Sequence, residues 1–151
     1  MIRLFLLQVC FFALIGCGVR APQVHYLESS VTQSTPEAVA MEIEFEVSNN
    51  NDEPLQLTLF DYTVSVDGNI VYRGKHSAQQ TVPTATAVTS KIPAVIQRNQ
   101  ILGLQNATWR LSGLLGYIPP KEFTKTLLKS GIWKPTTQVH AHGSFQIPSF
   151  D

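Results

Sequence analysis

The sequence predicts an all-β domain, an antiparallel sandwich or barrel with one or two short helices. Apolar and polar residues alternate with a period of two in several segments between residues 42 and 147, and tight-turn signals separate these segments. Short alternating strands joined by turns are typical of antiparallel sandwiches and barrels. The composition, with 44% hydrophobic and 15% charged residues, favours a folded chain over a disordered one.

The chain opens with an apolar leader that ends in a cysteine. Arg3 precedes an apolar stretch over residues 4–15, which is too short for a permanent membrane span. Its end, Leu14-Ile15-Gly16-Cys17, resembles the lipobox of bacterial lipoproteins. The resemblance implies that residues 1–16 are a signal peptide, and that Cys17 carries a diacylglyceryl thioether and an acylated amino terminus after cleavage. The alternative is an ordinary secretory signal that is cleaved a few residues later.

A lipid on Cys17 predicts a protein that is anchored to a membrane and does not cross it. Stable attachment needs more than one acyl chain, and a diacylated or triacylated cysteine meets this condition. In lipoproteins of this kind an aspartate after the cysteine retains the protein in the inner membrane. Gly18 therefore indicates the outer membrane of a Gram-negative envelope, with the domain facing the periplasm. Residues 17–36 are mostly polar and predict a tether, with room for an early strand over residues 24–27.

The leader also determines what the mature chain contains. Cys10 and Cys17 are the two cysteines of the sequence, so the mature domain has no thiol for a disulfide, a nucleophile or a zinc site. Removal of Arg3 leaves ten basic and eleven acidic side chains, and this balance predicts no field that would recruit nucleic acid. Residues 37–151 are long enough for one domain with a sizeable core.

The clearest strand begins the predicted domain. Ile43, Phe45 and Val47 alternate with three glutamates at positions 42, 44 and 46. Like charges on one face of an exposed strand oppose pairing at an open sheet edge more often than they form an active site. We therefore interpret the glutamates as protection of an edge strand.

The next strand contains a slip in its alternation. Leu55, Leu57 and Leu59 are followed by a run of apolar residues from Phe60 to Val66, and the parity changes by one between Leu59 and Phe60. Because a shift of one residue turns every side chain to the other face, the sequence predicts a bulge or corner there.

A tight turn at Asp67-Gly68-Asn69 is predicted to join this strand to residues 70–73, with Gly74 ending the hairpin. Residues 81–96 predict a further strand, in which Pro83 and Pro93 restrict pairing. Closing strands are predicted over residues 109–115 and 139–147. Residues 119–131 predict a helix of two or three turns, and residues 97–105 predict a weaker one.

Short motifs along residues 43–96 resemble a known family. Its members typically show an Asn-Pro-Asn block, a Pro-Leu pair, a strand that contains a tyrosine, a glycine and a proline-led loop. The corresponding positions here are Asn49, Asn50, Asn51, Pro54, Tyr62, Gly68, Gly74 and Pro83. This pattern resembles the late-embryogenesis-abundant (LEA) type 2 family, also called the water stress and hypersensitive response (WHy) domain. Asn50 departs from the pattern, since the family often has proline there.

The resemblance implies an immunoglobulin-like or fibronectin-III-like sandwich with a non-enzymatic role. Family members are associated with tolerance of desiccation, cold and osmotic stress, and with the protection of other proteins. Considered without the family, consecutive asparagines after a strand turn the chain sharply, and Pro54 suits the entry to an edge strand. We therefore interpret the asparagine cluster as a structural corner rather than a binding site.

No motif for catalysis, phosphate binding or a cofactor is present, so no cofactor and no small-molecule substrate are predicted. His140 and His142 are the best chemical candidates, because alternate residues of a strand project from the same face. They could hold a metal if His25 or His76 supplied a third ligand, and a metal-dependent enzyme is the remote third class of function. An exposed histidine pair is the favoured interpretation.

Two functions follow from the sequence. The first is a lipid-anchored, stress-protective domain that shields client proteins or membrane in the cell envelope. The second is an adaptor that is held at the membrane and docks one envelope partner, by adding a strand at an open sheet edge.

Overall fold

Two antiparallel sheets pack as a β-sandwich, and this confirms the predicted fold class. The structure is a computed structural model that describes residues 19–119, 126, 129–131 and 134–147. The strands are β1 (Gln23–Ser34), β2 (Ala38–Asn49), β3 (Leu55–Val66), β4 (Asn69–Ser77), β5 (Thr81–Val82), β6 (Thr86–Gln97), β7 (Asn106–Ile118) and β8 (Thr136–Gln146). The leader, with Cys10, Cys17 and Gly18, lies outside the described residues.

The smaller layer, which we call the three-stranded sheet, has the order β1-β2-β6. The larger layer, the five-stranded sheet, has the order β4-β3-β7-β8, with the short β5 paired to the start of β3. Along the two sides of the sandwich, β4 contacts β6 and β1 contacts β8.

Strand β1 corrects the prediction of a tether over residues 17–36. Residues Gln23–Ser34 form a twelve-residue strand that pairs with β2 from Gln23↔Ser48 to Ser34↔Val39. The register shifts between Tyr26 and Glu28 and again between Val31 and Gln33. Each shift reverses which side chains face the core, so the sequence lacks the simple alternation that marks a strand. The predicted early strand exists, and it is three times as long as expected.

In β2 the burial of side chains alternates without a break, so the strand prediction is confirmed. The prediction that its glutamates protect an open edge is wrong, because β2 is the central strand of the three-stranded sheet. Lys91 on β6 lies between two of these carboxylates, with its Nζ 2.9 Å from Glu42 Oε1 and 3.2 Å from Glu44 Oε2. The acidic row is therefore partly neutralised from the neighbouring strand.

The predicted bulge in β3 is confirmed. Pairing of β3 with β7 shifts register between Leu57 and Phe60, which is where the sequence alternation slips. The shift leaves the Leu59 side chain on the surface, 45% exposed, while Leu57 and Phe60 both point into the core.

The predicted turn between β3 and β4 is confirmed as a two-residue hairpin loop. Asp67 and Gly68 both have positive φ, at 47° and 88°, as a type I′ turn requires. The prediction that Gly74 ends the hairpin is wrong, since β4 continues to Ser77. A Cβ atom on Gly74 would lie 2.6 Å from the Tyr72 ring and 2.8 Å from the Tyr62 ring. This glycine therefore makes room for two aromatic rings inside the strand.

The single strand predicted over residues 81–96 is two strands in different sheets. Strand β5 pairs with β3, and β6 pairs with β2. Pro83 follows β5 directly, and Ala85 adopts a φ of 51°, so the chain can cross from one sheet to the other between them. The predicted closing strands are confirmed as β7 and β8, each longer than expected.

Helical structure is sparse in the part of the chain that the structure describes. The weaker helix prediction, over residues 97–105, corresponds to one 3-10 turn at Arg98–Gln100. Of the prediction over residues 119–131, Thr126 and Lys129 are helical, and the Ser130 N–H donates to the Thr126 carbonyl at 3.0 Å. Residues 120–125, 127 and 128 of that prediction lie outside the described residues.

The core lies between the sheets and is rich in aromatic rings. Trp109, Tyr62 and Phe45 are among its largest fully buried side chains. Edge-to-face contacts join the Tyr26 ring to Phe45 and to Trp109, with ring centroids 6.2 and 5.7 Å apart. These contacts join β1 and β2 to β7, so the core confirms that β1 belongs to the domain and not to a tether.

Candidate functional site

Asn49 is the centre of the asparagine cluster, and its side chain is fully buried. Its Nδ2 group is shared among three backbone carbonyls, those of Glu53 at 2.9 Å and of Val82 and Pro83 at 3.2 Å each. Its Oδ1 accepts the Asn51 backbone N–H at 3.0 Å. One side chain therefore joins the end of β2, the loop before β3 and the exit from β5.

Asn51 extends these bonds to the segment before β1. Its Nδ2 donates to Asn49 Oδ1 at 2.8 Å and to the Arg20 carbonyl at 2.9 Å. Its Oδ1 accepts the Arg20 backbone N–H at 2.8 Å, so the two residues bond in both directions. Asn50 and Pro54 are exposed, and Pro54 directly precedes β3. The bonding pattern supports the interpretation of the cluster as a structural corner.

Tyr62 connects the two sheets. Its ring is buried on β3, and its hydroxyl donates to the carbonyl of Pro93 on β6. Burial raises the pKa of this hydroxyl well above its ordinary value, because the phenolate would lose its hydration, and the nearby Tyr72 hydroxyl adds to the effect. The tyrosine of the family motif thus has a structural role here. With its pKa raised, this hydroxyl stays protonated at neutral pH.

The outer face of the five-stranded sheet contains a concave surface that is lined in part by polar side chains. A hollow of about 470 Å³ lies there, and we call it the basic hollow. Its polar lining consists of Thr63 and Ser65 on β3, Thr108, Arg110 and Ser112 on β7, and His140 and His142 on β8.

The sheet register explains why these residues meet. Ser65 on β3 lies opposite Arg110 on β7, and Arg110 lies opposite His142 on β8. The next row along the strands contains Thr63, Ser112 and His140 in the same order. The two rows therefore place one guanidinium and two imidazoles around a floor of small hydroxyl side chains.

The histidines do not form a metal site with the third ligands that the sequence offered. His25 lies opposite Glu46 in the three-stranded sheet, and His76 lies opposite Phe60 on β4. Among the described residues, no group of three or more His, Cys, Asp or Glu side chains is placed to hold a metal ion. The His140 and His142 pair instead shares its surface with Arg110.

A second concave surface, which we call the apolar hollow, continues along the same face. It measures about 360 Å³ and is lined mainly by Leu59, Leu114, Ile118 and Pro135. Leu59 and Leu114 are large apolar side chains that are 45% and 46% exposed. A smaller hollow, which contains Asp61, connects the two.

Arg110 is the charged residue of the basic hollow that the sequence did not mark as part of a site. It alternates with Trp109 and Leu111, so the strand pattern marks it as polar and outward-facing but shows nothing of its neighbours. Only the pairing of β7 with β8 brings it opposite His142. The β7–β8 register is therefore the signal that groups Arg110 with His140 and His142.

Cys17, the predicted lipidation site, lies outside the described residues. Within the described part of the chain, no helix is long and apolar enough to cross a membrane. The described site residues therefore comprise a structural corner, a tyrosine that joins the sheets, and three adjoining hollows on one outer face.

The sequence and the fold were compared with those of known proteins, and only the fold gave matches. No protein-family model matches the sequence, and a comparison with curated proteins finds no significant match. The fold is similar to the solution structure of a late embryogenesis abundant (LEA) protein, with a TM-score of 0.66, 14% identity, and coverage of 93% of this chain and 79% of that protein.

Two further solved structures are similar. An Arabidopsis thaliana protein matches with a TM-score of 0.61 and 13% identity over 91% of each chain. A protein from Archaeoglobus fulgidus matches with a TM-score of 0.54 and 13% identity, over 88% of this chain and all of that one. The chain therefore has the LEA type 2-like fold that its motifs predicted.

Proposed function

We propose that this chain, which has a LEA type 2-like fold, is a lipid-anchored and non-enzymatic domain that protects proteins or membrane of the cell envelope during desiccation and osmotic stress. The observation that carries the proposal is the similarity to a LEA protein across 93% of the chain at a TM-score of 0.66. The polar corner in the structure, built on Asn49 and Asn51, supports it because these residues belong to the family motif.

The anchor in this proposal is a lipid on Cys17, with the domain on the periplasmic side of the outer membrane. The lipobox-like end of the leader and Gly18 support it. We expect Cys17→Ser to give an unprocessed or soluble product in cell fractionation, with Cys10→Ser as the matched control that keeps wild-type behaviour. A Cys17→Ser product of mature mass that still fractionates with membranes would contradict the anchor.

Protection is tested by drying or freezing lactate dehydrogenase with the purified full chain in dodecyl maltoside. The matched sample contains the same detergent and an equal mass of albumin. We expect higher recovered enzyme activity with the protein than with albumin. Equal recovery in the two samples would refute the protective role, whatever the outcome of the lipidation test.

An adaptor that docks one envelope partner at a sheet edge is the second proposal, and β8 is the edge that favours it. Strand β8 pairs with β7 over eleven consecutive residues without a bulge. The other described edges are less regular or partly occupied. Strand β1 contains two register shifts, and the pairing of β4 with β3 contains one. On β6, Pro93 lacks an N–H and Gln80 Nε2 donates to the Thr89 carbonyl at 3.4 Å.

Photo-crosslinking in cells distinguishes the two proposals. A crosslinker at Ser144 on β8 is compared with one at Thr32 on β1, since both positions are exposed at sheet edges. One dominant adduct that forms from position 144 and not from position 32 would support the adaptor. A diffuse set of adducts from both positions would support protection.

A further inference from the structure

We propose that the basic hollow on the outer face of the five-stranded sheet binds a phosphate group, either free or carried by a larger molecule. The inference goes beyond the protective function and stands independently of it. The ligand class follows from the groups that line the hollow, their charges and the space beside them.

The first argument is convergence of donors. Arg110, His140 and His142 lie on adjacent strands at neighbouring positions, and strands in a sheet are about 4.8 Å apart. A guanidinium can bind two oxygens of one phosphate at once, and imidazoles supply further N–H donors. Ser112 adds a hydroxyl directly opposite His140. These are the donor types that proteins use for phosphate and other oxyanions.

The second argument is that no carboxylate of the described residues pairs with the positive charge of Arg110. No carboxylate lines the basic hollow, and Arg110 forms no ion pair within residues 19–119 and 134–147. Asp61, in the connecting hollow, is 3.3 Å from Lys75 Nζ. Asp67 accepts the Thr108 backbone N–H at 3.3 Å. Neither carboxylate forms an ion pair with Arg110, so its guanidinium is available to a ligand from outside.

The third argument is the cross-strand pairing of Arg110 with His142. Residues directly opposite each other on adjacent antiparallel strands have their Cβ atoms about 4.5–5.5 Å apart, so Arg110 and His142 are neighbours on this face. Opposite Thr63, on β4, lies a further cation, Arg73. An anion bound among these side chains would be attracted by both guanidinium groups.

The size of the basic hollow bears on whether the ligand is free phosphate or a phosphate ester. At about 470 Å³ it exceeds a bare phosphate and lies in the range of small-molecule sites. The connecting hollow shares Thr63, Ser112 and His140 with it, and Leu114 is shared in turn with the apolar hollow. A phosphate ester has room for its substituent along this path, whereas free phosphate uses only the basic end.

The experiment measures amide chemical shifts of the full chain in dodecyl maltoside, a detergent without phosphate. Sodium phosphate and glycerol 3-phosphate are titrated separately, each against sodium chloride at matched ionic strength. We expect saturable shifts at the amides of residues 110, 112, 140 and 142. Arg110→Gln should weaken binding about tenfold, since it removes a charge-assisted bidentate contact. The affinity of Arg110→Lys should lie between those of the wild type and Arg110→Gln, because lysine keeps the charge but not the bidentate geometry.

Arg20→Gln is the matched control, because it removes the same charge from an exposed residue outside the hollow. It should bind as the wild type does, and preserved shift dispersion in each variant shows that the fold is intact. Tighter binding of glycerol 3-phosphate than of phosphate assigns the hollow to an ester such as a lipid headgroup, and equal binding assigns it to free phosphate. Shifts that do not saturate with either ligand, or that are unchanged by Arg110→Gln, would overturn the proposal.

Discussion

Replacing Asn49 with alanine tests whether the asparagine corner is structural. The substitution removes the amide that three carbonyls share and the oxygen that accepts the Asn51 N–H. Asn49 is fully buried, and its bond to the Val82 carbonyl is buried too, so water cannot readily replace what is lost. Each buried polar group left without a partner costs about 1–3 kcal/mol.

Of the groups that lose a partner, we count the buried Val82 carbonyl and the Asn51 N–H, which together give an expected loss of about 3 kcal/mol in the free energy of unfolding. Domains of this size have about 5–15 kcal/mol in total, so the variant should remain folded but much weaker. With a urea slope of about 1–3 kcal/mol per molar, the midpoint of unfolding should fall by about 1–3 M. Circular dichroism against urea measures this midpoint, and the slope should not change.

Asn50→Ala is the matched control, because Asn50 is the exposed neighbour in the same cluster. Exposed substitutions of this kind change stability by about 0.5 kcal/mol or less. If Asn49→Ala lost no more stability than this control, the corner would not hold the fold together. The asparagines of the motif would then have to be explained by binding.

Two further predictions concern the tyrosines that pack around β4. Gly74→Ala should destabilise the domain by about 1–3 kcal/mol in urea unfolding, because its Cβ would overlap the Tyr72 and Tyr62 rings, whereas Gly68→Ala, whose Cβ would have nothing within 4 Å, should show only the strain of its positive φ, about 1–2 kcal/mol. A Gly74→Ala variant as stable as the wild type would contradict the packing argument. The pKa of Tyr62 is higher in the folded chain than in the unfolded chain, where it is about 10. The stability that this residue contributes is therefore complete below about pH 10 and is lost as the pH rises above that value. Tyr62→Phe should therefore lose less stability than the wild type between pH 9 and pH 11, and parallel curves would refute this.

The sequence predicted the fold where alternation was regular and turns were marked by residue type. Strand β2 and the Asp67-Gly68 turn are such cases, since burial in a central strand and positive φ each restrict which residues are suitable. The slip at Leu59 was visible because apolar residues flank it on both sides. In these places local chemistry alone determines the structure.

The wrong or missing predictions for β1, the β2 glutamates and Arg110 have one physical cause. The sequence does not show which strands pair with each other or in which register. Strand β1 was taken for a tether because its two bulges interrupt the alternation, and only its register with β2 shows it as a strand. The glutamates of β2 looked like edge protection because the sequence does not reveal that β1 and β6 flank them. Arg110 could not be grouped with His142 for the same reason.

The incorporation of β1 into the sandwich has a consequence for how far the domain could stand from a bilayer. Arg20 is bonded to Asn51 through its backbone, so only Gly18 and Val19 separate Cys17 from a fixed point on the domain. An extended chain spans at most about 3.6 Å per residue, so Cys17 lies at most roughly 11 Å from Arg20. A lipid on Cys17 would hold the asparagine corner within this distance of the headgroups. The apolar hollow lies toward this end of β3 and the basic hollow toward the other. If the proposed lipid is present, the domain would therefore stay close to the membrane surface.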